Sequence, residues 1–154
     1  MDPVARVQSS SSSAPAHAVE AELADEQKSE HGSNVMQTLQ RLFVAKESGT
    51  LDVTSMKLQE CPGELANIPS LTQLYIDRNN LTILGDVIAS LPGLLLLSAQ
   101  HNRLCKVTPL LTRLNSLKEL MLSNNEFTAI PSEILLLSSL KKLEMEHNFI
   151  TDLA

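Results

Sequence analysis

Few residues in this chain have types and spacings that could make or break a bond. His101 and His147 take the same place in two repeated segments that lie two segments apart, so roughly 10 Å would separate their backbones on a sheet. That is wide for a shared metal ion, and no Cys or third ligand completes a set. Asp77, Ser98 and His101 combine an acid, a hydroxyl and an imidazole, but short polar residues on an open sheet meet in this way without any pocket being implied. There is no glycine-rich phosphate loop. Catalytic, cofactor-binding and metal-ligating residues are therefore expected to be absent, and no enzymatic activity is expected. Cys61 and Cys105 fall at an inward and a near-inward position, which predicts two buried thiols.

Chemistry of another kind is carried by asparagines. Asn79, Asn102, Asn125 and Asn148 recur every 23 residues. A buried amide is costly unless bonded. Asn offers both donors and an acceptor to backbone groups that a bend leaves unpaired, so these four are read as a structural ladder. Around Asn125 the chain runs Leu117-Lys-Glu-Leu120-Met-Leu122-Ser-Asn-Asn125-Glu-Phe127, then Ile130-Pro131, Ile134 and Leu137. A short strand there points Leu120 and Leu122 inward, and the bend after it turns Asn125 in with them.

The elements that position these residues repeat without insertion. Lines begin at Ser48, Leu71, Leu94, Leu117 and Leu140, each step being 23 residues. The fourth column is Leu51, Leu74, Leu97, Leu120 and Leu143, and the sixth is Val53, Ile76, Ala99, Leu122 and Met145. The ninth holds Met56 and then the four asparagines, and the eleventh holds Leu58, Leu81, Leu104, Phe127 and Ile150. Later columns run through Cys61, Leu84, Val107, Ile130 and Leu153, and through Leu65, Ile88, Leu111 and Ile134. Pro62 and Pro131 open an apolar-Pro-x-x-Ile/Leu-x-x-Leu stretch. Proline does not fit a regular helix interior, so the back wall is expected to be 3₁₀ turns, short helical turns and extended pieces. The predicted front is a parallel sheet of about five short strands, ~4.8 Å apart. The fold class is thus an α/β solenoid.

Flanking segments differ from the repeats. Residues 1–33 carry five consecutive serines and six acids against two bases, which predicts a disordered acidic tail. Residues 34–47 are expected to form a capping helix with Asn34 as N-cap, Val35, Leu39, Leu42 and Phe43 on its buried face, and Gly49 as its stop. Residues 48–154 hold five repeats, the last incomplete. Its apolar edge would be left open, which is expected of a fragment or short product of a longer array; the alternative is self-association through that edge. Leu135 and Leu136 are expected to pack sideways against their neighbours.

From residue 34 onward the lines resemble the leucine-rich-repeat family. More narrowly, they resemble its 23-residue, Ras-suppressor-like intracellular class, with Ile-Pro-x-x-Ile back walls. The resemblance implies a horseshoe segment that binds proteins and has no catalysis of its own; it fixes no partner. The formal charge of −6 comes without the basic stripe that nucleic acid or an anionic membrane would require. The N-terminus has no apolar signal core, two cysteines are too few for a disulfide framework, and no apolar run reaches transmembrane length. A cytoplasmic location is expected, with the nucleus also open.

Alternate side chains of each strand would face outward on the concave sheet. The outward set is Tyr75, Asp77, Arg78, Leu96, Ser98, Gln100, His101, Met121, Ser123, Asn124, Glu144 and Glu146. Tyr75, Leu96 and Met121 form an apolar centre with charges of both signs around it, the arrangement of many binding surfaces. The expected function is that of a signalling adaptor or scaffold holding a protein partner there. The alternative is a substrate-recognition or regulatory subunit of a larger enzyme complex, of ubiquitin ligase or phosphatase type.

Overall fold

The computed structural model describes residues 36–38 and 40–151. The chain divides into two units, Met1–Met36 and Gln37–Ala154, and the second contains all of the repeats. The tail over residues 1–33, the Asn34 cap, Val35, Leu39 and Leu153 lie outside the described residues.

Five strands, β1 (Thr50–Asp52), β2 (Gln73–Tyr75), β4 (Leu96–Ser98), β6 (Glu119–Met121) and β7 (Lys142–Glu144), form one parallel sheet in that order. The register repeats the sequence period, with Leu51 opposite Leu74, Leu74 opposite Leu97, Leu97 opposite Leu120 and Leu120 opposite Leu143. Each strand is only three residues long because the bend comes at once. A second, unforeseen parallel pair joins β3 (Ile83–Leu84) to β5 (Lys106–Val107) on the far side of the bend.

The back wall is a consequence of the spacing of its apolar residues. Pro62, Leu65, Ile68 and Leu71 stand three apart, and each N–H of the last three donates to the carbonyl three residues before it, at 3.0–3.2 Å. That is the 3₁₀ hydrogen-bond pattern, in which residues at i and i+3 eclipse and share one face. The 3₁₀ turns Gly63–Asn67, Asp86–Ser90 and Pro109–Arg113 bury Leu65, Ile88 and Leu111 on that face, and the short helix α2 (Ser132–Leu135) buries Ile134. Pro62 and Pro131 stand just before their turns, where no N–H is required of them. Thr108 fills the same place in the third repeat and caps its turn by accepting from the Leu110 N–H at 3.1 Å. Leu135 and Leu136 do not pack sideways as expected: at 67% and 68% exposure they stand off the back wall. Ile134 and Leu137 already occupy the one inward face that the three-residue spacing provides.

Helix α1, helical at 36–38 and 40–48, precedes the first strand. Leu42 and Ala45 are its buried residues and join the core cluster with Leu51, Val53 and Met56. Phe43, expected on this face, is instead 73% exposed; it lies about 100° around the helix from Leu42, which the core claims. Gly49 ends the helix with φ 72° and donates its N–H to the Ala45 carbonyl at 2.9 Å. A Cβ there would meet Thr72 Oγ1 at 3.2 Å. The Gly49 carbonyl meanwhile accepts from the N–H groups of Thr72 and Gln73 and from the Thr72 hydroxyl, at 2.8, 3.0 and 3.0 Å. One residue therefore closes the helix and begins the ladder that leads into β2.

Candidate functional site

The sheet face rests on the asparagine ladder, and the ladder works backwards along the chain. Asn79 Nδ2 donates to the carbonyls of Ile76 and Asp77 in its own line and of Val53 in the line before, at 2.9, 3.1 and 3.0 Å. Its Oδ1 accepts from the N–H groups of Met56 and Leu58, at 2.9 and 3.0 Å. Asn102, Asn125 and Asn148 repeat the pattern, each donating to a carbonyl 26 residues earlier and accepting from an N–H 21 residues earlier. The bend that strands these backbone groups is thus fully answered by one side chain per line. Among the described repeats Met56 has no earlier line to reach, and an apolar side chain, 7% exposed, takes its place.

The bend itself explains the eighth column. Ser55, Arg78, His101, Asn124 and His147 all have φ between 53° and 59°. Each is the left-handed residue that swings the ninth residue inward. This conformation costs a non-glycine residue about 1–2 kcal/mol, though Asn and His occupy it more readily than most. Arg78, His101 and Asn124 therefore belong to the rim of the sheet face, at its turn. Among the described residues no group of three or more His, Cys, Asp or Glu is placed to hold a metal ion.

Register sets the rest. Asp52, Tyr75, Ser98, Met121 and Glu144 stand side by side across the five strands, with Thr50, Gln73, Leu96, Glu119 and Lys142 as the adjacent row. Tyr75, Leu96 and Met121 are half-buried, Asp77, Gln100 and Glu144 likewise, and Glu146 is exposed. Ser98 and Ser123 depart from expectation. They lie on the outward face yet are only 1% and 5% exposed. Ser98 is a small side chain between Tyr75 and Met121, and Gln100 reaches over it, with Nε2 3.4 Å from Ser98 Oγ and 3.7 Å from Met121 Sδ. Ser98 donates to Asp77 Oδ1 at 2.6 Å, and the same oxygen accepts the Gln100 N–H at 2.6 Å. These bonds fix the floor of the surface under the Tyr75–Met121 pair.

Electrostatics differ along the face. At β1, burial pushes the Asp52 carboxyl up, but hydrogen bonds from Thr54 and the Arg41 charge outweigh it and hold the group below its ordinary value. At β7, Lys142 pairs with Glu144 at 2.8 Å, and that bond and charge hold the ammonium above its ordinary value. The outward columns carry Asp52, Asp77, Glu119, Glu144 and Glu146 against Arg78 and Lys142. The balance is acidic, not evenly mixed.

Cys61 is buried, and burial pushes its thiol up to about 11, the Gly85 backbone bond lowering it and Glu60 adding to the rise. Cys105, expected to be buried, is exposed. It stands outside β5, in the residue before it, where its Sγ lies 3.6 Å from the Thr82 carbonyl instead of in the core.

Residues 116–137 match the Leucine Rich Repeat family model. No curated protein matches the chain. Among solved structures, a leucine-rich-repeat protein of Leptospira interrogans is similar at 36% identity, over 60% of this chain and 24% of that one, with a TM-score of 0.58. Internalin C2 of Listeria monocytogenes is similar at 30% identity, over 68% of this chain and 45% of its own, with a TM-score of 0.58. A chain of the BIR3–SERK2 complex of Arabidopsis thaliana is similar at 29% identity, over 64% and 55% respectively, with a TM-score of 0.55. The chain spans about a quarter to a half of the length of these structures. Period, ladder and register together give the chain the leucine-rich-repeat solenoid fold, which these similar structures share. Domains of this kind generally mediate binding between proteins. No described helix is long and apolar enough to cross a membrane.

Proposed function

We propose that this chain is a non-enzymatic protein-interaction module whose sheet face holds a protein partner, in the role of a signalling adaptor or scaffold. The observation that carries this is the half-buried trio Tyr75, Leu96 and Met121, gathered mid-sheet and ringed by polar and charged side chains. An apolar anchor region within a polar rim gives the energy at its centre and excludes water at its edge. Support also comes from the similar structures, one of which is a chain of a protein–protein complex. The uninterrupted 23-residue period and the prolines before two back-wall turns favour the Ras-suppressor-like intracellular class, and with it a cytoplasmic location.

The test is affinity purification with three forms of the chain. The intact form and a back-wall control, Leu135→Ser with Leu136→Ser, are expected to retain the same partner. The form carrying Tyr75→Ala, Leu96→Ala and Met121→Ala is expected to lose it. A partner lost with the back-wall control and kept by the triple variant would contradict the assignment.

A further inference from the structure

The two edges of the five-stranded sheet differ. At β1 the outward backbone groups are answered within the chain. Ser48 Oγ accepts the Thr50 N–H at 3.2 Å and donates to the Thr50 carbonyl at 3.1 Å, and Arg41 Nη1 on α1 donates to the Asp52 carbonyl at 2.6 Å. At β7 they are open. In each earlier line the sixth residue donates its N–H to the next strand, from Val53 to Tyr75, Ile76 to Ser98, Ala99 to Met121 and Leu122 to Glu144, at 2.7–2.9 Å. Met145 is the sixth residue of its line, and no described strand stands beyond β7 to accept from it. Leu143, two residues earlier on the same strand, turns its N–H and carbonyl the same way. Its side chain is 36% exposed, and Leu140, Met145 and Ile150 around it are only half-buried. An uncovered strand edge of this kind is a template for pairing with another chain.

The charges on β7 decide which chain fits. Antiparallel pairing of two copies about a two-fold axis at Leu143 sets Leu143 against Leu143, and residues so placed exchange both of their backbone bonds. The same register sets Lys142 of each copy opposite Glu144 of the other on the concave face, and opposite charges there favour the pairing. An axis at Lys142 or at Glu144 would oppose like charges, which disfavours it. Both side chains reach solvent, at 52% and 33% exposure, and their own 2.8 Å contact within the strand keeps them together at the edge. Stacking β7 of one copy on β1 of the next is closed off by Ser48 and Arg41, which already hold the β1 edge groups. A two-fold contact uses the same patch on both copies and stops at two.

We propose that two copies of this chain join through β7, antiparallel about Leu143, so that two five-stranded sheets continue as one. The join is made at the strand edge and leaves Tyr75, Leu96 and Met121 uncovered on the sheet face, so it does not depend on what that face binds.

Sedimentation equilibrium of the full 154-residue chain, with amide exchange followed at high and low protein concentration, tests it. A dimer is expected, with no larger species. The amides of Leu143 and Met145 are expected to be protected in the dimer and to lose that protection on dilution to the monomer. Lys142→Glu and Glu144→Lys each oppose like charges at two places across the axis, and each is expected to weaken the dimer about tenfold or more. The two reversals together restore the complement and are expected to restore the dimer. A chain that stays monomeric at the highest concentration it tolerates overturns the proposal. So does a dimer in which the Leu143 and Met145 amides exchange as they do in the monomer, or one whose dissociation constant neither single reversal changes.

Discussion

Each ladder asparagine ties backbone groups of two neighbouring lines together. Asn102 is 8% exposed and bonds four backbone groups, at Leu81, Ile76, Ala99 and Gln100. Asn102→Ala leaves those groups to find no substitute in an apolar interior, so urea unfolding is expected to show a loss of at least about 2 kcal/mol. Asn148 makes equivalent bonds at a half-buried site, where water can replace them, and its alanine variant is expected to lose clearly less. The two thiols differ in the same way, by exposure. Iodoacetamide at neutral pH should modify exposed Cys105 and spare Cys61 until the chain unfolds. Burial holds the folded Cys61 thiol up at about 11, against about 8.5 in the unfolded chain. The unfolded chain therefore gives up its proton first. The contribution to stability is whole below about pH 8.5 and falls as pH rises towards the folded value, by up to about 1.4 kcal/mol per pH unit. Cys61→Ala should remove that alkaline slope in denaturant titrations. The asparagines are legible in the sequence because their demand is local and recurs at a fixed period. The burial of Ser98 and Ser123 is not, because it depends on the size of side chains one strand away.

Elements are legible where spacing alone decides their form. Strand alternation places Leu120 and Leu122 inward, and both are fully buried. Apolar residues three apart after Pro62 and Pro131 imply 3₁₀ and short helical turns, and these are what line the back wall. Helix α1 is legible as a helix, but its rotation is not. Phe43 and Ala45 both fit an amphipathic reading, and only the repeat beneath decides that the small Ala45, with no exposed surface, goes in. The β3–β5 pair leaves no sequence signal because Ile83–Leu84 and Lys106–Val107 are two residues each, too short for any alternation to register. The junction of α1 with β1 yields a prediction of its own. Gly49→Ala forces a Cβ into the left-handed region and towards Thr72 Oγ1 at 3.2 Å. Thermal and chemical unfolding should show a loss of about 1–2 kcal/mol. The loss is not recovered by the helix-favouring side chain, because the residue lies past the helix end.

Across the repeats as a whole, stability depends on how many lines cover a given one. Leu51 and Leu143 occupy the same column, yet the first is 1% exposed under α1 and the second 36% exposed on β7. Interior amides such as Ile76 and Ala99, bonded to Ser98 and Met121, are expected to exchange with solvent orders of magnitude more slowly than those of Lys141 and Lys142 in the β7 line. Leu42→Ala should uncover the first repeat, speeding exchange at the Val53 amide well before the Ala99 amide responds. The sheet face draws on the same stacking, since five three-residue strands hold Tyr75, Leu96 and Met121 in register only while their lines stay packed. Whether these three anchor a protein partner is decided by calorimetric titration of the purified partner into the intact chain and into the Tyr75→Ala, Leu96→Ala, Met121→Ala variant. Affinity is expected to fall by about a hundredfold or more while the variant's melting curve keeps its shape. An unchanged dissociation constant in a variant that is still folded would show that the anchor lies elsewhere.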